Sequence, residues 1–414
     1  MIYMDNAATT RLCDEAFEAM LPFLKDAYGN PGGLYDLGQE ARCAVAEARR
    51  DIAGAINAAP GGIYFTSGGT ESDNWALKGV AQLKYPGWQC ATGAGEYARY
   101  NKGSERFPHI ITTAFEHHAI IESCRQLQRE GIRISYVNPN ADGYISVNEI
   151  EKHICKDTVL ISVMHVNNEL GTIQPIAEAG RLAHDHGILF HTDAVASFGH
   201  IPIDVRAMNI DLLSASAHKF SGPKGVGFLY VNEDVKLPPL IAGGSQEQGR
   251  RAGTENVPAI AGMAAAVNKM SNNMDINLER RRRLDDYFIR RLNCLNAARV
   301  ADAGRMISLN GCSEVCNDTD KRTDREASGL RIPGTFSMTI PGFEAEELIV
   351  RLGMKGICIS AGAACASSED EGSHVLTAVG LDRKSVRSSV RITMNENNTE
   401  EEIDRLFEEL STLR

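Results

Sequence analysis

Between residues 60 and 235, short apolar runs alternate with amphipathic stretches, and this alternation restricts the possible folds more than any other feature. Ile63–Phe65, His109–Thr112, Arg133–Val137, Val159–Met164, Ile188–His191, Leu212–Leu213 and Gly227–Val231 read as strands. Ile120–Glu130 and Ile176–His186, lying between them, carry apolar residues at helical spacing. Alternation of this kind predicts an α/β fold, with a mostly parallel mixed sheet covered by helices. Beyond residue 263 the pattern changes. Helices are expected over Asn277–Asn293, Glu344–Leu352 and Glu400–Leu413, with strands at Ser337–Ile340 and Ser389–Thr393. A chain of 414 residues exceeds one ordinary core. The expectation is therefore a large domain over residues 13–262, with residues 1–12 and 263–414 forming a smaller α+β domain. Gln89–Pro108 and Cys312–Arg331 lack any period and read as surface insertions.

Charge and composition exclude several classes. A net charge of -11 argues against nucleic acid as the main partner. No apolar run approaches the ~18 residues of a membrane-spanning helix, and Met1–Asp5 does not open a secretory signal. Ten scattered cysteines in a chain this long are expected to be reduced thiols in a cytoplasm. Cys312 and Cys316 form a Cys-x3-Cys pair without nearby partner ligands, which is too little for a metal-binding zinc site.

Several residues carry chemistry. Lys219 lies in Ser214-Ala-Ser-Ala-His218-Lys219-Phe-Ser-Gly-Pro-Lys-Gly225, after an apolar run, where burial can expose a free amine for a Schiff base with an aldehyde. Thr66-Ser-Gly-Gly69-Thr70-Glu-Ser-Asp-Asn74 follows a strand and opens the predicted helix Trp75–Leu83. Glycine-exposed N–H groups there form an anion site, though the same pattern also makes a plain helix cap. Asp193 ends the run Ile188–Asp193, at a strand end where open α/β sheets meet ligands. It can keep a pyridine nitrogen protonated or cap a helix. His117, next to His118, also follows a strand and suits either ring stacking or acid–base work. Cys365, in Ser360-Ala-Gly-Ala-Ala-Cys365-Ala-Ser-Ser, is set among small residues without a core-forming period, and reads as a thiol that travels. Arg391 on a predicted strand can clamp a carboxylate bidentately or form a surface ion pair.

Taken together these segments resemble the cysteine desulfurases of the NifS/IscS group, within the class V, fold type I enzymes that use pyridoxal 5'-phosphate (PLP). The resemblance also runs through Asp5–Thr10, Gly29-Asn30-Pro31, Met164–Gly171, Gly222–Gly225 and Arg251–Thr254. It implies that Lys219 carries PLP covalently and moves protons. Gly69, Thr70, Ser216 and His218 would hold the phosphate, with Thr254 reaching across from the other subunit of a homodimer. Asp193 would pair with the pyridine nitrogen and His117 would stack over the ring. Asn168 would lie by the phenolic oxygen and, with Asn30 and Arg391, near the substrate carboxylate. Cys365 would attack the sulfur of L-cysteine, giving alanine and a persulfide that passes to an acceptor protein, in iron–sulfur cluster assembly or a thiolation pathway.

Two departures stand out. The family usually has glutamine where this chain has Ala196, which removes a hydrogen bond to the phenolic oxygen. The chain stops at Arg414, without the further extension common in relatives that dock an iron–sulfur scaffold, which leaves the acceptor open between a scaffold and a thiolation enzyme. A selenocysteine lyase or cysteine-sulfinate desulfinase would share Lys219 and Asp193, and a non-catalytic regulatory homologue would tolerate Ala196.

Overall fold

A computed structural model describes residues 1–84, 108–299, 306–314, 330–362 and 372–413. The chain enters through β1 (Ile2–Tyr3), then α1 (Asp14–Lys25) and α2 (Asp36–Ala55). The predicted sheet follows: β2 (Ile63–Thr66), α3 (Gly69–Lys84), β3 (His109–Thr113), α4 (His118–Arg129), β4 (Arg133–Val137), α5 (Val147–Glu151), β5 (Thr158–Ser162), α6 (Ile176–Asp185), β6 (Leu189–Asp193), β7 (Leu212–Ser216) and β8 (Gly227–Val231). These seven strands lie in the order β2-β8-β7-β6-β5-β3-β4. All neighbouring pairs are parallel except the two made by β8, which runs antiparallel to both β2 and β7. Because only β8 is reversed, β2, β3, β5, β6 and β7 all end on one edge of the sheet. In such sheets that edge is where ligands are bound.

The sheet sits between two apolar layers. Ile63, Phe65, Ile111, Ile161, Phe190, Leu213 and Phe228 pack on one face. Tyr64, Ile110, Leu160, Leu212 and Leu229 pack on the other, against Trp75, Leu77 and Val80 of α3. Successive strand residues therefore alternate between two buried faces, and this is why the strands read as continuous apolar runs.

α7 (Val257–Ala298) is a single helix of 42 residues. Its first half packs Ile260, Met263 and Val267 into the core of the large sheet, and its second half sends Leu284, Phe288 and Leu292 into a second core. The sequence pattern signalled only Asn277–Asn293, because the alanine-rich first half is buried nearly all round and lacks a polar face to mark a period. The two cores thus share a helix across residue 262, not a linker. The second core is completed by β9 (Ser308–Leu309), β10 (Thr335–Thr339), α8 (Ala345–Gly353), β11 (Ile357–Cys358), β12 (Ser360–Ala361), β13 (Ser389–Thr393) and α11 (Glu400–Ser411), whereas α9 (His374–Ala378) and α10 (Arg383–Arg387) send Val375, Leu376 and Val386 into the first. Phe288 stacks on Phe336 at 3.9 Å between ring centres and meets Phe407 edge-on. β12, β13, β10 and β9 form an antiparallel sheet, and β1 pairs with β11.

Most of the two expected insertions lies outside the described residues. Arg331, at the end of the second, departs from the surface reading: it is 2% exposed. Its guanidinium makes paired hydrogen bonds to Asp285 at 2.8 and 2.7 Å and lies 4.3 Å from the centre of the Phe336 ring. A basic run in sequence hid one arginine whose fork is satisfied by a buried carboxylate.

Candidate active site

A cavity of about 310 Å3 opens at the sheet edge where the parallel strands end. Gly69 and Thr70 come to it from the turn after β2, and His117 from the turn after β3. Met164 and Asn168 follow β5, Asp193 ends β6, and Ser216, His218 and Lys219 end β7. Arg391 enters from β13 of the second core. Eight of the residues expected from sequence thus converge here, together with Arg391.

The turn after β2 needs glycine for a specific reason. Gly68 has φ +149°, and a Cβ placed on Gly227 opposite would come within 2.8 Å of the Gly68 Cα. The chain can therefore start α3 with the backbone N–H groups of Gly69 and Thr70 free of intrahelical partners and turned to the cavity end. Ser216 and His218 line the same end. His218 accepts or donates at Thr9 Oγ1, 3.2 Å away, and burial together with Lys219 and Lys224 pushes its imidazole down to about 4. It is a neutral hydrogen-bonding group beside a site for an anion.

Lys219 projects its amine to the carbonyls of Ala7 and Ala8, at 2.5 and 3.0 Å. Its own backbone is pinned by His200, whose Nε2 donates to the Lys219 carbonyl at 2.9 Å, while Arg281 reaches the His200 carbonyl at 2.9 Å. Sequence reasoning missed this prop, because nothing in the spacing of residues 200, 219 and 281 announces that they meet.

Asp193 is 3% exposed and accepts the Val195 N–H at 2.9 Å. Burial raises its carboxyl to about 6, held from going higher by that hydrogen bond and by Lys219, so it is an anion at neutral pH. His117 caps α4, accepting the Ala119 N–H on Nδ1 at 3.1 Å. Burial, with Lys219, His118 and His374 nearby, pushes it down to about 4. The imidazole is neutral, which suits a ring facing another ring better than a base for a thiol.

Arg391 is 2% exposed and pairs with Asp5 at 2.9 Å, while a second nitrogen donates to the Asn168 carbonyl at 3.0 Å. Its Nε is buried with no hydrogen-bond partner, and so is Asn168 Oδ1. A buried donor left unmade is costly, and this one lies against the cavity wall. Ala196 lines this cavity and an adjoining one of about 50 Å3 walled by Asn168, His200 and Arg281. That smaller volume has polar groups on its wall and is large enough for water.

Asn30 and Thr254 are exposed and do not line the cavity of their own chain. Cys365 lies outside the described residues. Of the Cys312–Cys316 pair only Cys312 is described, its thiol half-buried against the Glu314 carbonyl. The seven described cysteines are all free of disulfides, and no described helix is long and apolar enough to cross a membrane.

The family model for aminotransferase class-V matches residues 2–315 and 318–406. This chain belongs to the class-V aminotransferases. It is 42% identical to a cysteine desulfurase IscS of Dictyoglomus turgidum, over 100% of this chain and 96% of that protein. Among solved structures, a NifS-like protein superposes with a TM-score of 0.84 at 32% identity, covering 99% of this chain and 98% of the other. SspA in complex with cysteine superposes with a TM-score of 0.75 at 33% identity, covering 96% and 100%.

Class-V aminotransferases hold PLP covalently on a lysine. The site of this class-V chain fits that cofactor at each end. It offers an amine held between carbonyls, an anion under the ring position, helix N–H groups with hydroxyl and imidazole for a phosphate, and orphaned buried groups on Asn168 and Arg391 where further polar atoms would bind. Sequence reasoning missed two further buried carboxyls beside Asp193. These are Asp73 of α3 and Glu116 before His117. Asp73 falls four residues after Gly69, on the same face of α3, and that spacing is the signal that would have found it.

Proposed function

We propose that this class-V aminotransferase is a PLP-dependent cysteine desulfurase, converting L-cysteine into L-alanine and passing the sulfur through a persulfide on Cys365. The observation that carries this reading is the convergence of Lys219, Asp193 and His117 in one cavity with the buried, incompletely bonded Arg391. The names of its relatives support it: a cysteine desulfurase at 42% identity and a cysteine complex at 33%.

Bound PLP supplies an electron sink for charge that develops on the substrate's α-carbon. The chain does the rest. Lys219 takes the proton from that carbon and later returns it. Asp193 holds the positive charge at the pyridine nitrogen, and His117 covers the ring. Gly69, Thr70, Ser216 and His218 bind the phosphate. Arg391 and Asn168 fix the substrate carboxylate, with Asn30 completing that end. The Cys365 thiolate forms an S–S bond with the substrate's sulfur. The C–S bond then breaks with its electron pair left on carbon, which takes up a proton to become the methyl group of alanine.

A homodimer accounts for what one chain leaves outside. Phe17, Leu21 and Leu24 of α1 are 51, 45 and 60% exposed at helical spacing, and Tyr28, Leu34 and Tyr35 continue the apolar surface past Asn30. In the dimer, Thr254 reaches the phosphate end of the neighbouring cavity. Reduced thiols and the absence of a spanning helix among the described residues fit a cytoplasmic enzyme. An acceptor protein would take the sulfur for cluster assembly or thiolation.

The test is substrate preference of the intact PLP-loaded protein. L-cysteine is expected to give alanine at a higher kcat/KM than cysteine sulfinate, with sulfur recovered on the protein. Alanine formed only from selenocysteine or the sulfinate would overturn the reading.

Ala196 gives a second expectation. A hydrogen bond to a partly charged oxygen is worth ~1–3 kcal/mol, and Ala196 cannot donate one. Ala196→Gln is expected to shift the pH midpoint of the visible band of lysine-bound PLP. An unchanged titration would overturn this expectation.

A further inference from the structure

Three carboxyl groups are buried around the position meant for one pyridine nitrogen. Asp73 is 1% exposed, Glu116 0% and Asp193 3%. One polar atom each of Asp73, His117 and Asp193 lie within 4.8 Å of one another. Such a cluster cannot hold three negative charges in a site this dry.

The groups facing it settle where the charge resides. Glu116 accepts the Thr113 hydroxyl at 2.8 Å and the Met164 N–H at 2.9 Å on one oxygen, while its other oxygen has no partner. Burial first, and then repulsion from Asp193, push Glu116 up to about 8. His191 of β6 lies 3.7 Å from Asp73 Oδ1, but burial pushes it down to about 3, so it brings no positive charge. The other side of His191 is tied to Ser162 at 2.9 Å, and its Nε2 is 3.1 Å from the Ser214 hydroxyl. Ser214 in turn bonds to Asp73. His117 is neutral, as described above. Among the described residues, Lys219 is the cation that acts on Asp193.

Asp73 Oδ1 is nonetheless buried with no hydrogen-bond partner. An ionised oxygen in that position would be a bare buried charge beside the Asp193 anion. A protonated one is a donor, on a side chain with a polar atom within 4.8 Å of one on Asp193. Burial, followed by the Asp193 charge, drives the Asp73 carboxyl well above the ordinary carboxylate range, in the same direction.

We propose that Asp73 is a positioning residue that stays protonated and donates from Oδ1 toward Asp193, so that the cofactor's nitrogen meets a single carboxylate held in its charged form. This rests on the PLP reading of the cavity, whose wall Asp73 shares. Asp73 acts only through Asp193.

The test compares two substitutions in the full-length, PLP-loaded protein, read by pH titration of the visible band. Asp73→Asn keeps a donor of the same shape and is expected to leave the midpoint where it is. Asp73→Leu removes the donor and makes Asp193 more basic, so its midpoint is expected to rise by about one pH unit, tenfold in proton affinity. Should the leucine variant not fold, Asp73→Ala carries the same comparison. Equal shifts in both variants would mean that the charge of Asp73 matters, and no shift in either would mean that it only fills space. Each of those results overturns the proposal.

A second measurement is independent of the cofactor. A carboxyl raised by folding stabilises the protein below its unfolded value of about 4, and that contribution is lost as pH climbs through the folded value. Melting temperatures of Asp73→Asn should therefore gain on wild type between pH 5 and 9. A constant difference across that range would refute a protonated Asp73. If wild-type protein shows no visible band at all, it is the PLP reading that fails, and this melting comparison still decides the protonation of Asp73.

Discussion

Lys219→Ala, mixed with excess PLP, is expected to show no visible band that borohydride can trap, and alanine formation from L-cysteine is expected to fall by at least about 10³-fold. The lysine is asked to do two things. It joins the cofactor, and it carries the proton at the α-carbon, a step for which positioned acid–base groups typically supply 10²–10⁴-fold. The amine donates to the Ala7 and Ala8 carbonyls at the cavity, and its backbone is braced by His200. Lys224, five residues on, does not line the cavity and cannot replace it. Borohydride labelling of Lys219 in wild type, read by peptide mapping, is the companion result. Retention of activity within tenfold in Lys219→Ala would rule out the assignment.

Arg391→Leu is the second large effect. The guanidinium is buried, holds Asp5 at 2.9 Å and the Asn168 carbonyl at 3.0 Å, and keeps its Nε unbonded. A substrate carboxylate arriving there gains a charge-assisted bond in a dry site. Removing one partner of such a buried pair costs about 2 kcal/mol or more, roughly 30-fold in binding. KM for L-cysteine is therefore expected to rise about 30-fold or more, with a smaller change in kcat. Arg391→Lys should recover little of this, since an ammonium cannot present the same fork to Asp5, Asn168 and substrate together. Part of the loss will be structural, because Asp5 is left without its cation. A melting curve separates the two contributions, and a KM within threefold of wild type would contradict the assignment.

Much of this was legible before any coordinates. Most strands of the large sheet announce themselves as apolar runs, because a sheet buried on both faces has no polar alternation to blur it, while the half-exposed edge strand β4 alternates. Gly69, His117, Asn168, Asp193, Ser216, His218 and Lys219 all follow such runs, so placing the strands places the site. What stayed hidden has physical causes. The first half of α7 lacks a polar face, so its helix reads as half its length. Arg331 sits at the end of a charged run, yet its fork is met by Asp285, 46 positions away in sequence. Asp73 and Glu116 look like ordinary solvated carboxyls until the fold buries them against Asp193. Asn30 and Thr254 are exposed on their own chain and do not line its cavity.

One measurement bears most directly on the central claim. The PLP-loaded protein is incubated with L-cysteine, alkylated, digested and mapped by mass spectrometry. The peptide containing Cys365 is predicted to gain one sulfur atom, in step with alanine release and only when Lys219 is present. An unmodified Cys365 peptide with alanine still produced, or the extra sulfur on a different cysteine, would contradict the account.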